Sequence, residues 1–305
     1  MKTKKIIYIF CRIKIFFNFG DSNFKTQNKF PMKKLILVIA VLLVSKTNWA
    51  LNPSREYKTM PAEYGMTFEE KVIETADKVR LKAWFFKPAA ESRKLMVISD
   101  DGVGNMADNL ELVAQFLSLG YNVLTYDYRG YGQSDDFTIN PDFFVYPQFS
   151  QDILAVIDYT RKRHVTLELN LYGIGIGAAL SIGAGANKTE VRRVIADAPY
   201  ISLETMKKKI TEKEGKDVKM PLVYDKYYLE PLYAMGEKGK HLYGVMYIVG
   251  ETDPLIGPDD IKPLVKANTG KSSVYKVPGV DNSQNFSSNK NDYFNQIKKF
   301  LDKTK

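Results

Sequence analysis

The sequence contains very few of the thiol and imidazole groups that act in proteins as nucleophiles, bases and metal ligands. Its 305 residues include one cysteine and two histidines. The cysteine, Cys11, lies near the start of the chain. After residue 50, therefore, the sequence alone excludes disulfides, thiolate metal ligands and a cysteine nucleophile. His164 and His241 are the two imidazoles that could act as a general base near neutral pH.

An excess of charge is also missing from most of the chain. The net charge is +9, but residues 1–50 hold ten Lys and Arg against one acid, Asp21. The residues after Ala50 carry 34 basic and 34 acidic side chains. Because a nucleic-acid partner requires a basic surface, no nucleic-acid binding is expected. A hydrophobic fraction of 45% and a charged fraction of 26% are typical of a globular protein.

The basic residues accompany an export signal. Met32-Lys33-Lys34 is followed by an uncharged apolar run over residues 35–44 and by the small residue Ala50. This pattern predicts a signal peptide over residues 32–50, with export to the periplasm or exterior of a bacterial cell. Residues 1–31 are interpreted as an upstream extension, and Met32 as the true start. The apolar run is too short to span a bilayer comfortably, so no stable membrane insertion is expected after cleavage. An uncleaved anchor is the alternative.

Residues 51–70 are interpreted as an N-terminal arm, and residues 71–305 as one α/β domain. Short β-branched or aromatic runs alternate there with longer amphipathic segments, which predicts a sheet covered by helices. The sequence predicts strands over residues 71–74, 80–86, 95–99, 122–126, 168–172, 191–196, 245–249 and 273–277. It predicts helices over residues 108–119, 149–162, 176–186, 258–266 and 292–301. The Lys-rich and aromatic stretch at about 200–240 interrupts this alternation and is expected to be an insertion over the carboxyl ends of the strands.

One turn carries a specific family resemblance. Residues 127–134 read Asp-Tyr-Arg-Gly-Tyr-Gly-Gln-Ser, which is similar to the D-x-R-G-x-G-x-S turn after the fourth strand of the α/β-hydrolase superfamily. The resemblance extends over residues 71–301. It implies the α/β-hydrolase fold: a mostly parallel sheet of about eight strands with helices on both faces. In esterase-like and peptidase-like members, this turn shapes a loop and performs no chemistry.

The catalytic motifs of that superfamily are present in altered form. Residues 173–177 keep the outer glycines of the G-x-S-x-G nucleophile motif, but Gly175 occupies the nucleophile position. Asp253 matches the triad acid, and Asn282 occupies the position of the histidine. An amide cannot accept a proton at neutral pH. His164 and His241 both precede Asp253, whereas the family places its histidine after the acid.

The oxyanion loop is also altered. Residues 101–105 stand where the family commonly has H-G-x-G-G. The backbone N–H groups of Val103 and Ile176 match the family's oxyanion donors. Asp100 and Asp101 bring negative charge to the place where an oxyanion would have to be stabilised. The resemblance therefore implies the fold more strongly than it implies catalysis.

These observations predict an exported, non-catalytic pseudo-hydrolase that binds or scaffolds a small molecule or a protein, with no cofactor. A second hypothesis is an active serine hydrolase that uses Ser99, Ser134 or Ser283 as its nucleophile. A third is a metal site formed by Asp100, Asp101 and Asp253, because carboxylates are ligands for hard cations. The loop and insertion aromatics either line an apolar pocket or pack the insertion onto the sheet, and packing is the favoured interpretation.

Overall fold

A central sheet of eight strands organises the structure. The computed structural model describes residues 51–163 and 168–304. The strands are β1 (Phe68–Glu74), β2 (Arg80–Phe86), β3 (Lys94–Ser99), β4 (Asn122–Tyr126), β5 (Glu168–Ile174), β6 (Val191–Asp197), β7 (Gly244–Gly250) and β8 (Ser272–Val277). Their order across the sheet is β8-β7-β6-β5-β3-β4-β2-β1. The β1–β2 and β2–β4 pairs are antiparallel and the other pairs are parallel.

Helices cover both faces of this sheet. They are α1 (Leu110–Ser118), α2 (Gln148–Arg163), α3 (Ile176–Asn187), α4 (Leu203–Glu214), α5 (Lys226–Leu229), α6 (Pro231–Glu237), α7 (Lys262–Ala267) and α8 (Lys290–Lys303). One apolar core lies between the sheet and helices α1 and α8. The other lies between the opposite face and helices α2, α3 and α4. The mostly parallel, two-faced architecture expected from the sequence is confirmed.

The observed boundaries differ from the expected ones where local capping decides them. The helix expected from residue 258 begins instead at Lys262, because Pro263 fits the first turn of a helix but not its interior. The helix expected from residue 108 begins as an α-helix at Leu110, after a 3₁₀ turn over Met106–Asn109. Asn105 caps that turn, since its Oδ1 accepts the Ala107 N–H at 3.1 Å.

The insertion between β6 and β7 contains α4, α5 and α6, and its first helix lies near the strand ends, as expected. From α4, Lys209 donates to the Leu255 carbonyl in the loop after β7, at the carboxyl end of the sheet. The segment around α5 instead packs on α3, because a Cβ at Gly183 would lie under 3.0 Å from the Tyr228 backbone. Asn187 of α3 donates to the Tyr227 carbonyl at 2.8 Å. The segment around α5 therefore covers α3.

Several loop and insertion aromatics pack against one another. Phe144 and Tyr200 are buried, with ring centroids 5.3 Å apart. The Tyr200 hydroxyl donates to the Leu229 carbonyl at 2.9 Å. These contacts support the packing interpretation for this pair.

The segment after residue 50 lies against the loop that follows β3. Asn52–Pro53 pairs in parallel with Val103–Gly104, and Leu51 is buried beside them. The segment expected as an arm also supplies the first half of β1, which begins at Phe68 rather than at Lys71.

The turn over residues 127–134 is held by buried polar contacts. Arg129 is 2% exposed, and its guanidinium donates to Asp152 on α2 and to Asp77 in the β1–β2 turn. The hydrogen bonds from Arg129 lower the pKa of Asp77 to about 2. Ser134 donates to the Asp127 carbonyl and accepts the Lys82 N–H. The contacts agree with a structural role for this turn.

Replacement of Arg129 tests that role. The change Arg129→Met should lower the free energy of unfolding by about 3–5 kcal/mol, because it leaves the Asp152 carboxylate buried without its cation. Urea denaturation measures this loss. The matched change Arg55→Met removes an exposed ion pair with Asp136 and should lower the stability by about 1 kcal/mol or less. Equal stabilities for the two variants would contradict the structural role of Arg129.

Candidate functional site

The tight turn between β5 and α3, here called the elbow and comprising residues 173–177, has the backbone of a strained strand-to-helix turn. Gly175 has φ 54° and ψ −117°, a conformation that L-residues with a Cβ rarely adopt. Its N–H donates to the Asp197 carbonyl at 2.8 Å, which ties the elbow to the end of β6. The elbow therefore keeps the geometry that presents a central side chain, while glycine supplies no side chain.

The two outer glycines allow the strand and the helix to approach closely. A Cβ at Gly173 would lie under 3.0 Å from the Gly177 carbonyl, and a Cβ at Gly177 would lie equally close to the Ser99 and Asp100 carbonyls. Backbone atoms cannot move aside as a flexible side chain can. A Cβ at Gly175 would instead lie 3.2 Å from the Asp101 Cβ. A small side chain at the central position would need Asp101 to shift by a few tenths of an ångström, whereas the outer two positions cannot accept a Cβ.

In the loop after β3, two carboxyl groups of the loop itself accept backbone N–H groups, and one of these, the Val103 N–H, was expected to bind an oxyanion. The Val103 N–H donates to Asp101 Oδ1 at 2.8 Å, and the Gly102 N–H donates to Asp100 Oδ1 at 3.0 Å. Asp100 is buried, and its Oδ2 accepts the Asn109 amide at 2.7 Å. Burial, together with the adjacent Asp101, raises the pKa of Asp100 well above its usual value. Of the two expected donors, Val103 already has an acceptor.

Ile176 is the second expected oxyanion donor. It is the first residue of α3 and therefore has no intrahelical acceptor for its N–H. Its side chain is buried.

Asp253 and Asn282 are brought together, but as parts of a loop-to-loop connection. Asp253 Oδ1 accepts the N–H groups of Leu255 and Ile256, and its Oδ2 accepts the Asn282 N–H at 3.0 Å. The Asn282 side chain is buried, where it accepts the Gly250 N–H at 2.7 Å and donates to the Ile256 carbonyl at 3.0 Å. The Asn282 amide thus makes structural bonds within the loops after β7 and β8.

Comparison with known proteins shows which families and structures this chain is similar to. A model of the serine aminopeptidase (S33) family matches residues 90–224. An esterase from Pyrococcus furiosus, Pf2001, superposes with a TM-score of 0.67 at 18% identity, covering 83% of this chain and 97% of that one. The chain has the α/β-hydrolase fold, and its residues 90–224 are similar to the serine aminopeptidase (S33) family.

Curated relatives support the same assignment. The α/β-hydrolase domain-containing protein WAV2 of Arabidopsis thaliana is 29% identical over 47% of this chain and 45% of its own length. Protein bem46 of Schizosaccharomyces pombe is 28% identical over 50% of this chain and 51% of its own length. The match spans about half the length of these relatives.

His241 is not placed to supply the missing base of an α/β hydrolase. His241 lies before β7, at the amino end of the sheet, and the elbow lies at the carboxyl end. The His241 Nε2 lies 3.0 Å from the Lys188 carbonyl. His164 lies outside the described residues.

The three serines considered as substitute nucleophiles make other bonds. The Ser99 Oγ lies 2.9 Å from the Tyr126 hydroxyl, and both groups are buried. Ser134 donates to the Asp127 carbonyl at 2.7 Å, and the exposed Ser283 donates to Asp281 Oδ1. These contacts include no imidazole, so they do not favour the serine alternative.

The metal hypothesis is not supported by the geometry. Within residues 51–163 and 168–304, no group of three or more His, Cys, Asp or Glu side chains is arranged to hold a metal ion. Both oxygens of the Asp253 carboxylate accept backbone N–H groups, one oxygen from its own loop and the other from the loop after β8. Asp100, Asp101 and Asp253 therefore do not form the expected ligand set.

Sequence reasoning missed a buried network around Asp197. Its Oδ1 accepts the Asn285 amide and its Oδ2 accepts the Tyr293 hydroxyl, both at 2.6 Å. The Tyr293 and Tyr172 hydroxyls lie 2.7 Å apart. Burial raises the pKa of Asp197 to about 6. Because the Asp197 carbonyl also accepts the Gly175 N–H, the network connects α8 to the elbow.

Alanine substitutions test the geometry of the elbow. Gly173→Ala and Gly177→Ala should each destabilise the fold strongly, because their Cβ atoms would meet backbone atoms; a loss of roughly 3 kcal/mol or more in the free energy of unfolding is expected. Gly175→Ala should lose about 1–2 kcal/mol, from its positive φ and from a Cβ contact that a small shift of Asp101 can relieve. Chemical denaturation of the three variants measures the order. A Gly175→Ala variant less stable than the other two would contradict this geometry.

The change Asp197→Asn tests the buried acid. A raised pKa means that the folded state binds the Asp197 proton more tightly than the unfolded state does. The stabilisation that this proton provides is therefore greatest below about pH 4 and falls as the pH rises to about 6. Between pH 4 and pH 7, the wild type should lose roughly 2 kcal/mol relative to Asp197→Asn. Urea denaturation at both pH values measures this difference. A difference between the two proteins that is independent of pH would overturn the assignment.

Proposed function

We propose that this chain is an exported α/β-hydrolase-fold protein that does not hydrolyse substrates and instead binds a small molecule or a protein. The main support is one observation: the elbow keeps its strained backbone while its central residue, Gly175, carries no nucleophile. Loss of a triad nucleophile or base lowers the rate by several orders of magnitude. The fold is shared with hydrolases, but fold alone does not determine chemistry.

The electrostatics of the loop after β3 favour the same proposal. Acyl transfer places a developing negative charge on an oxygen, and backbone N–H groups stabilise that charge. Here the Asp101 carboxylate accepts the Val103 N–H, and its Cβ lies next to the position that a nucleophile would occupy. A second negative oxygen at that amide would be repelled by the carboxylate. A neutral or cationic ligand is therefore favoured over an anionic one.

The proton acceptor is the third missing component. Asn282 cannot act as a base, and its side chain already bonds to Gly250 and Ile256. Asp253, which would orient a histidine, accepts three backbone N–H groups instead. Asp253 and Asn282, at two of the triad positions, thus form hydrogen bonds that join the loops after β7 and β8.

Export rests on the signal peptide proposed for residues 32–50, which lies outside the described residues. Within the part of the chain that the structure describes, every helix is too short or too polar to cross a bilayer. N-terminal sequencing of the processed protein tests this proposal and should find Leu51 as the first residue.

Activity-based labelling tests the absence of catalysis. The purified chain should show neither labelling by a fluorophosphonate probe nor hydrolysis of p-nitrophenyl acetate above background, because no activated hydroxyl is expected at the elbow. Labelling of a serine located by mass spectrometry would overturn the proposal.

A designed pair of variants tests the role of Asp101. The double change Gly175→Ser with Asn282→His should give little hydrolysis of p-nitrophenyl acetate, because Asp101 still occupies the Val103 amide. The further change Asp101→Gly frees that amide and removes the Cβ beside residue 175, and it should raise the rate by roughly 100-fold, as expected for one oxyanion donor. Equal rates for the double and triple variants, both folded by circular dichroism, would show that Asp101 does not obstruct the site.

A further inference from the structure

Residues 51–57, here called the strap, lie as an extended peptide along the loop after β3. Asn52–Pro53 pairs in parallel with Val103–Gly104. The Asn52 N–H donates to the Gly102 carbonyl at 2.9 Å. The loop therefore binds the strap as the edge of a sheet binds an added strand, through backbone hydrogen bonds that do not require particular side chains.

The turn over residues 127–134 bonds to the other side of the strap. The Ser54 carbonyl accepts the Gly132 N–H at 2.9 Å. The Tyr57 hydroxyl donates to the Asp127 carboxyl group. The strap thus bonds to two separate segments of the domain, which together form a groove for an extended backbone.

Leu51 is the apolar anchor of the strap and lies beside the elbow. Its side chain is 3% exposed. A Cβ at Gly102 would lie 2.8 Å from Leu51 Cδ2 and 2.8 Å from Ile176 Cδ1, so both side chains pack against the same glycine. Ile176 belongs to the elbow and follows Gly175 in the sequence. The position of Leu51 is therefore an apolar slot at the edge of the candidate site, filled by the chain itself.

The rest of the strap is only shallowly packed. Of its seven residues, Leu51 alone is buried, and three are exposed. Segments with few buried apolar contacts open locally at a lower free energy than the core does. The Gly102 carbonyl also accepts the Tyr131 hydroxyl at 3.0 Å, so it keeps a hydrogen bond when the strap leaves. The strap is therefore suited to leave the groove while the domain stays folded.

We propose that this groove binds an extended peptide segment of a partner protein, which displaces the strap and places an aliphatic side chain in the slot of Leu51. The strap itself shows what the groove accepts: an extended backbone with an aliphatic residue next to the elbow. In this mode of recognition, backbone hydrogen bonds supply affinity and side-chain pockets supply specificity. The inference rests on the proposed binding function and names the chemical class of the partner.

A reversible disulfide tests whether the strap must leave. The chain from Leu51 contains both described hydrophobic cores and no cysteine. The changes Asn52→Cys and Val103→Cys place two thiols on paired residues of neighbouring strands, about 4.8 Å apart at Cα, within the range of a disulfide. The probe is a fluorescent peptide of residues 51–57, and fluorescence anisotropy measures its binding.

The oxidised variant should bind the peptide at least roughly tenfold more weakly than the same variant after reduction, because binding requires the open form. Equal binding before and after reduction would overturn the proposal. A dimer in sedimentation that forms only in the reduced variant would show that the groove takes the strap of a second copy, and would overturn the assignment to a partner protein.

The change Leu51→Ala is a second test that needs no disulfide. It weakens the anchor of the strap, so the chain should bind the wild-type peptide at least roughly tenfold more tightly. A peptide that carries Leu51→Ala should bind more weakly than the wild-type peptide does. The change Val72→Ala, at a side chain that is 61% exposed on β1, is the control and should leave binding unchanged. A folded Leu51→Ala chain without this gain would contradict the role of the slot.

Hydrogen exchange detects the displacement without a peptide. The Gly132 N–H lies outside the strap but bonds to the Ser54 carbonyl, so it should have the same protection factor as the Asn52 and Ser54 N–H groups. All three should exchange much faster than the N–H groups of β3. A Gly132 N–H that exchanges only with β3 would overturn a displaceable strap. Serine labelling by the fluorophosphonate probe would contradict the proposed absence of catalysis and would leave these results unchanged, so the two proposals can fail separately.

Discussion

The close approach of β5 and α3 at Gly173 and Gly177 is the constraint on which the site depends. The two glycines let the backbone of the elbow lie against the end of β3, where a Cβ would meet carbonyl groups. This contact holds the turn in which Gly175 has φ 54°. Glycine reduces the conformational strain of that φ, since it has no Cβ. A hydrolase backbone is therefore compatible with the absence of a nucleophile.

Asp101 changes the chemistry of the same backbone. In an active site of this superfamily, the amides beside the elbow are held ready for a transient negative charge. In this chain, the Val103 amide already has an acceptor in its own loop, the Asp101 carboxyl group. The buried Asp100 satisfies the adjacent Gly102 amide in the same way. The polar groups of the loop are thus satisfied internally, which is the usual condition of buried amides in a stable fold.

The sequence predicted the architecture well because hydrophobic periodicity and the glycine spacing are local signals. All eight main strands lie where they were expected, with ends that differ by a few residues. The helix that was expected from residue 258 begins only at Lys262, because Pro263 fits the first turn of a helix and not its interior. The segment around α5 packs on α3, and no local pattern in the sequence indicates such a long-range contact.

The details of the site were less predictable, because they depend on contacts between residues that are far apart in the sequence. Asp197 bonds to Asn285 and Tyr293, which are 88 and 96 residues away in the sequence. Nothing near Asp197 in the chain indicates these partners. The sequence identified Asp101 as an unfavourable charge and Asn282 as a poor base, but it gave no sign that the first accepts the Val103 N–H or that the second joins two loops. The hydrogen bonds of Asp101 and Asn282 give both residues a structural role in the loops.

The most direct test of this account is a crystal structure of the chain that begins at Leu51, grown in a high concentration of acetate. The account predicts that the Asp101 carboxylate lies within hydrogen-bonding distance of the Val103 nitrogen, with Gly175 at positive φ and no acetate at the Val103 and Ile176 amides. An acetate bound to both amides, with Asp101 turned away into solvent, would contradict it.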